Sequence, residues 1–127
     1  EAARGRPAPA RHAAARATRL AAGTDSAEVA LFAALADGRA ALADRRPLDA
    51  VRRLEEALAR HLTHMPSPDL VFEARLLLGS ARIAAGRANG ACADLRSLET
   101  GAARGGYLFI AQQANRLAGV ADCVRHG

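Results

Sequence analysis

Large apolar residues recur at helical spacing through most of the chain after residue 25. In the first segment they are Leu31, Leu35 and Leu42, with small residues between them. Spacings of three, four and seven residues place side chains on one face of an α-helix. Four further segments repeat the pattern, and none alternates between apolar and polar residues, so we predict no strand. The predicted helices cover residues 26–44, 48–63, 68–85, 89–103 and 107–124.

Proline, glycine and capping residues separate these segments. Pro47 and Pro68 each suit the first turn of a helix, where the missing N–H has no intrahelical partner. Ser67 is a predicted N-cap, and Gly86 fits the position that follows a helix C-terminus. Residues 25–28 have the spacing of a capping box, so the ordered part is expected to begin there. The fold class is therefore predicted to be all-α.

Charge divides the chain into two parts. Residues 1–24 hold five arginines and one acidic residue, whereas residues 25–127 hold 13 arginines and 12 acidic residues. We interpret residues 1–24 as an Arg/Ala-rich linker or tail and residues 25–127 as one folded domain. The folded part is nearly neutral and has no continuous basic stripe, so we expect it to bind no nucleic acid. No apolar run is long enough to span a membrane.

Three glycines recur inside the predicted helices. Gly38, Gly79 and Gly119 are 41 and 40 residues apart, and each has an alanine two positions later. A glycine inside a helix costs about 1 kcal/mol relative to alanine. Its recurrence at one spacing indicates a repeated close approach of two helices, which a larger side chain would prevent.

This repeat resembles the tetratricopeptide repeat, a hairpin of two helices. The residues that carry the resemblance are Gly38, Ala50, Leu54 and Ala57 in the first repeat, and Leu78, Gly79, Ala91 and Leu95 in the second. Asp37 stands where the family has leucine, Leu98 is larger than the usual small residue, and the family's Trp, Tyr and Pro positions are not filled. The resemblance covers about residues 27–125, as two full repeats and one final helix. It implies a right-handed superhelix of antiparallel hairpins with five main helices.

The resemblance also implies a function, namely a scaffold that binds a peptide or a partner helix on the concave face. Family contact positions on the first helix of each repeat fall at Phe32, Leu35, Arg39 and Leu42, at Glu73, Leu76, Ser80 and Ile83, and at Gln113, Arg116, Val120 and Cys123. Arg39 and Arg116 are the main candidates, because a charge on an inner face is costly to bury without a partner. Glu73 or a ligand carboxylate would pair with them.

The length of the repeat points to an alternative. Its period of 40–41 residues exceeds the 34 of the plain repeat and is similar to that of bacterial multidomain regulators. The stretch 102–111 also resembles the last repeats of such proteins. In this alternative the chain is a sensory, regulatory or self-association segment of a larger bacterial signalling or transcription-regulating protein, and it forms a homo-oligomer.

Motifs for catalysis, cofactor binding and metal binding are weak. We found no nucleophile elbow, phosphate loop or zinc spacing, so we expect no enzymatic activity and no cofactor. His61 and His64 have a spacing compatible with a metal ion. The nearest carboxylates on that helix, Glu55 and Glu56, are more than a turn away. We therefore interpret the histidines as positive charge near a helix C-terminus.

The two cysteines are predicted to lie near each other. If the fourth and fifth helices are antiparallel about a turn near residue 105, residue 92 faces roughly residue 118, and Cys123 lies a turn further along. Cys92 and Cys123 then form either a disulfide or two buried thiols. A catalytic pair of either cysteine with His126 also stays open. Two cysteines are too few for the disulfide framework of a small secreted protein. We expect the protein to be located in the cytoplasm, and the periplasm is the alternative if the chain is a mature or excised fragment.

Overall fold

The computed structural model describes residues 27–64 and 66–123. They form five α-helices: α1 (Ala27–Ala43), α2 (Pro47–His61), α3 (Pro68–Ala84), α4 (Ala88–Arg104) and α5 (Leu108–Val120). A short 3-10 turn, Leu62–His64, follows α2. Helix accounts for 86% of this part of the chain and no residue in it lies in a strand, which confirms the all-α prediction. The proposed tail and the first two residues of the capping box lie outside the described residues.

Each helix packs against its neighbours in sequence, and α3 contacts all four of the others. Connections of three residues join α1 to α2, α3 to α4 and α4 to α5, and such short connections make these pairs antiparallel. The first, third and fifth helices also contact one another in order, since α3 packs against both α1 and α5. Among the described residues, no helix is both long and apolar enough to cross a bilayer.

The core divides into two clusters of unequal content. The cluster between α1, α2 and α3 contains large side chains, among them Leu31, Leu54 and Leu78. The cluster between α4 and α5 is built from Ala91, Cys92, Leu95, Ala118, Ala121 and Cys123. Alanine and cysteine bury little apolar area per residue. Every residue that the last helix buries is an alanine. Hydrophobic burial therefore stabilises the packing of this helix only weakly.

Glycine provides the predicted close approach in two of the three helices. A Cβ atom added at Gly38 would lie 3.2 Å from Leu54 Cδ1, and one added at Gly79 would lie 2.7 Å from Leu95 Cδ2. Each leucine belongs to the next helix, sixteen residues after its glycine. The prediction is wrong at Gly119, which has nothing within 4 Å of an added Cβ. It lies on an exposed side of α5, and no described helix covers that side.

The helix ends follow the expected chemistry with two differences. Pro47 and Pro68 occupy the first turns of their helices, and Gly86 follows α3 with φ +78°. Ser67 holds the N-cap position of α3, but its side chain makes no capping hydrogen bond. Helix α5 ends at Val120 rather than at residue 124, because the chain turns there through residue 122 with φ +59°.

That early turn brings the two cysteines together. Cys92 and Cys123 form a disulfide with their Cα atoms 5.4 Å apart, and both residues are buried. At the other end of α5, Tyr107 packs edge-to-face on Phe72 with ring centroids 5.1 Å apart. The helix that buries the least is thus held at both ends, by an aromatic pair and by a covalent bond.

We expect Gly79→Leu to lower the free energy of unfolding by about 1–3 kcal/mol or more, since overpacking a filled contact has this cost. Leu95 is fully buried, so it has little room to move away. Gly119→Leu is the matched control and should not lower the free energy, because an added Cβ there meets nothing within 4 Å and the substitution removes a helical glycine that costs up to about 1 kcal/mol. Urea denaturation followed by circular dichroism measures both. Equal effects of the two substitutions would contradict the packing difference.

Removing the disulfide is expected to destabilise the chain. For a loop closed by residues 31 positions apart, the chain-entropy relation gives about 3–4 kcal/mol. Cys92→Ala with Cys123→Ala should lower the urea midpoint, and reduction of the unmodified chain should lower it similarly. Mass spectrometry of the unreduced chain should show two hydrogens fewer than the free-thiol mass. An unchanged midpoint after complete reduction would show that packing alone holds α5.

Candidate functional site

The predicted contact residues of α1 and α3 meet through an ion pair. Arg39 Nη2 lies 3.8 Å from Glu73 Oε2, and the two side chains are 50% and 49% exposed. Phe32 lies seven residues, or about two turns, before Arg39 on the same face of α1 and is 60% exposed. An apolar ring and a half-exposed ion pair are therefore adjacent on one side of these two helices.

Along α3 the predicted residues form one continuous face. Glu73 is exposed, whereas Leu76, Ser80 and Ile83 are half-buried. Spacings of three and four residues align these side chains along the helix. We call the surface formed by the exposed sides of the three odd-numbered helices the α1–α3–α5 face.

On α5 the corresponding face contains Gln113, Arg116 and Val120. Gln113 is half-buried, Arg116 is exposed and Val120 is 69% exposed. Asn115 shows which side of α5 faces α4, because its side-chain amide donates a hydrogen bond of 3.0 Å to Glu99 of α4. At about 100° per residue, the three face residues are turned away from the Asn115 side, towards α3.

Phe109 is a residue of this face that the sequence analysis missed. It lies one turn before Gln113 and is 68% exposed. The family contact positions begin at Gln113 on this helix and therefore pass over it. The spacing of Phe109, Gln113, Arg116 and Val120 by four, three and four residues was a signal in the sequence.

Two of the expected contact residues are not available to a partner. Leu35 is 1% exposed and packs in the core against α3, because α3 covers that side of α1. Cys123 is buried in the disulfide. Leu42 is half-buried and packs against the same core as Leu35. The face that remains consists of Phe32, Arg39, Glu73, Leu76, Ser80, Phe109, Gln113, Arg116 and Val120, with Leu42 and Ile83 at its margin.

The charges on this face are of both signs. Arg39 is paired with Glu73, whereas Arg116 has no ion pair within residues 27–64 and 66–123. None of the buried residues in these ranges is polar or charged. All ionised groups here therefore stay in contact with water, where pairing contributes selectivity more than affinity.

The structure places most of the residues that the sequence offered for nucleophilic or metal chemistry. Both cysteines are bonded to each other, so neither supplies a thiolate in this form, and His126 lies outside the described ranges. The rings of His61 and His64 are 6.4 Å apart. Within the ranges described, no group of three or more His, Cys, Asp and Glu side chains is placed to hold a metal ion.

Comparison with known proteins finds no matching family model, no matching curated protein and no matching solved structure.

Proposed function

We propose that this domain is a protein-interaction module that binds a peptide or a partner helix on the α1–α3–α5 face. The observation that carries the proposal is the exposure of Phe32 and Phe109 on the two helices that flank α3. Between them lie Leu76 and the pair Arg39–Glu73. Apolar anchors surrounded by charged groups are the usual composition of an interface, with aromatic residues supplying much of the binding energy.

The repeated hairpin supports this proposal. The same Gly–Leu contact joins α1 to α2 and α3 to α4, as expected if each hairpin is one unit of a tetratricopeptide-like repeat. We propose that the units form a right-handed superhelix with the α1–α3–α5 face on its concave side. A concave surface suits an extended peptide or one helix, because both can contact several units at once.

Self-association is the second candidate function, as expected for a segment of a larger bacterial regulator. The same exposed rings could then be covered by a second copy of the chain. Light scattering after gel filtration separates the two candidates. A monomer at micromolar concentration supports binding of a different protein, and a stable dimer without ligand supports the regulator hypothesis.

The disulfide also supports one of the two compartments considered. Disulfides persist in oxidising compartments and are rare where glutathione and thioredoxin keep thiols reduced. We propose that the domain works in an oxidising compartment, such as the periplasm, in place of the cytoplasm that the sequence favoured. Alkylation of thiols in intact cells before lysis would label both cysteines if this proposal is wrong.

Charge removal on the proposed face should weaken binding without changing the fold. Peptides selected from a displayed library against the immobilised chain supply the ligand. Arg39→Ala with Arg116→Ala should raise the dissociation constant by about tenfold, because arginine is enriched among the few residues that dominate the binding energy of an interface. The matched control is Arg52→Ala with Arg60→Ala, which removes equal charge from exposed arginines that pair within α2.

Isothermal titration calorimetry measures binding, and circular dichroism measures helix content and the melting temperature of each variant. Unchanged affinity in the first double variant, or an equal loss in both, would contradict the proposal. The site would then lie elsewhere, for example on the outer sides of α2 and α4.

A further inference from the structure

A second surface lies between α4 and α5, on the side of α5 that carries Asn115. It is an open groove of about 720 Å³. Its lining combines small residues with charged and amide side chains. The lining residues that matter here are Ala118, Gly119, Arg96, Glu99, Arg104 and Asn115.

The packing of the two earlier hairpins shows what this groove is shaped to hold. In α1 the bare backbone at Gly38 receives Leu54, and in α3 the bare backbone at Gly79 receives Leu95. Both leucines are on helices that lie across the corresponding side of α1 or α3. Gly119 occupies the same repeat position in α5, yet an added Cβ there would meet nothing within 4 Å. The backbone at Gly119 thus leaves space for a leucine side chain to pack directly on the helix. We call this space beside a helical glycine the seat.

The charged residues that line the groove are two arginines and one glutamate. Glu99 accepts a hydrogen bond from Asn115, and Arg96 donates one of 2.6 Å to the carbonyl oxygen of Cys123. Arg104 has no ion pair in the part of the chain that the structure describes. Two guanidinium groups against one carboxylate leave the groove positive, which favours an acidic ligand.

We propose that this groove binds an acidic amphipathic helix of a partner protein, with a leucine on Gly119 and carboxylates near Arg96 and Arg104. The site is separate from the α1–α3–α5 face, which lies on the other flank of α5. A second copy of the chain fits the charge poorly. The most acidic of the helices α1 to α5 is α1, which has two acidic residues and one arginine.

The chain itself provides a probe for this proposal. Helix α4 already places Leu95 over a glycine, so a labelled peptide of residues 87–104 has a suitable shape. Cys92→Ala removes its thiol, and Arg96→Glu with Arg104→Glu makes it acidic. Fluorescence anisotropy should show saturable binding to the full chain, weaker at higher salt because exposed charges are screened. A control peptide that also carries Leu95→Ala should bind about tenfold more weakly, as expected for loss of a buried anchor.

Two glycine variants of the protein locate the binding. Gly119→Leu fills the proposed seat and should weaken binding by about tenfold or more, as loss of a central contact does. Gly90→Leu adds the same side chain to another exposed helical glycine with open space around it, and it should change affinity by less than about twofold, like other contacts outside an interface core. Circular dichroism and urea midpoints confirm that both variants fold.

Three results would overturn the proposal. The first is no saturable binding of the acidic peptide. The second is binding that Gly119→Leu leaves unchanged, which would place the peptide elsewhere. The third is a dimer of the chain alone, seen by sedimentation velocity and abolished by Gly119→Leu, which would make a second copy the occupant. The first two results concern only the groove and leave the α1–α3–α5 face unaffected, so this proposal and the proposed function can fail independently. The dimer would also favour self-association over binding of a different protein.

Discussion

The contact between Gly79 and Leu95 is the point on which the arrangement of the chain depends. Helix α3 touches all four other helices, and its bare backbone at Gly79 lets Leu95 of α4 approach to where a Cβ atom would clash. The same approach brings Arg75 of α3 within 3.2 Å of Asp94 of α4. With α4 held this close, α5 packs against α3 and α4 together. A larger residue at position 79 would displace Leu95 from this contact between α3 and α4.

A core of small residues permits such close packing but stabilises it weakly. Hydrophobic stabilisation scales with buried apolar area, and α5 buries only Ala111, Ala114 and Ala118. The first three helices hold one another through leucines and valine and need no covalent link. The disulfide links α4 to the end of α5, where the buried apolar area is small. It lowers the conformational entropy of the unfolded chain, and this compensates for the weak hydrophobic stabilisation by alanine.

Local patterns predicted the helices because proline, glycine and apolar spacing act within a few residues. They predicted the seats at Gly38 and Gly79 for the same reason, since the glycine recurrence is visible in the chain. They could not predict that Leu35 is buried, because an apolar residue at helical spacing fits a core and a binding face equally well. Asp94 lies two residues before Arg96 in the sequence, yet it pairs with Arg75 and Arg82 from α3. The partner of a charged residue in such an ion pair depends on how the helices pack, which sequence spacing within one helix does not show.

Helix α5 has a double role in what we propose, because each of its two exposed flanks belongs to a different surface. Phe109, Arg116 and Val120 lie on one flank, and Asn115 and Gly119 lie nearer α4 on the other. Affinity for a rigid surface is higher than for one that must be ordered on binding. The aromatic pair at Tyr107 and the disulfide at Cys123 fix the position and rotation of this helix. They therefore preorganise both surfaces, although neither group belongs to the face that carries the exposed phenylalanines.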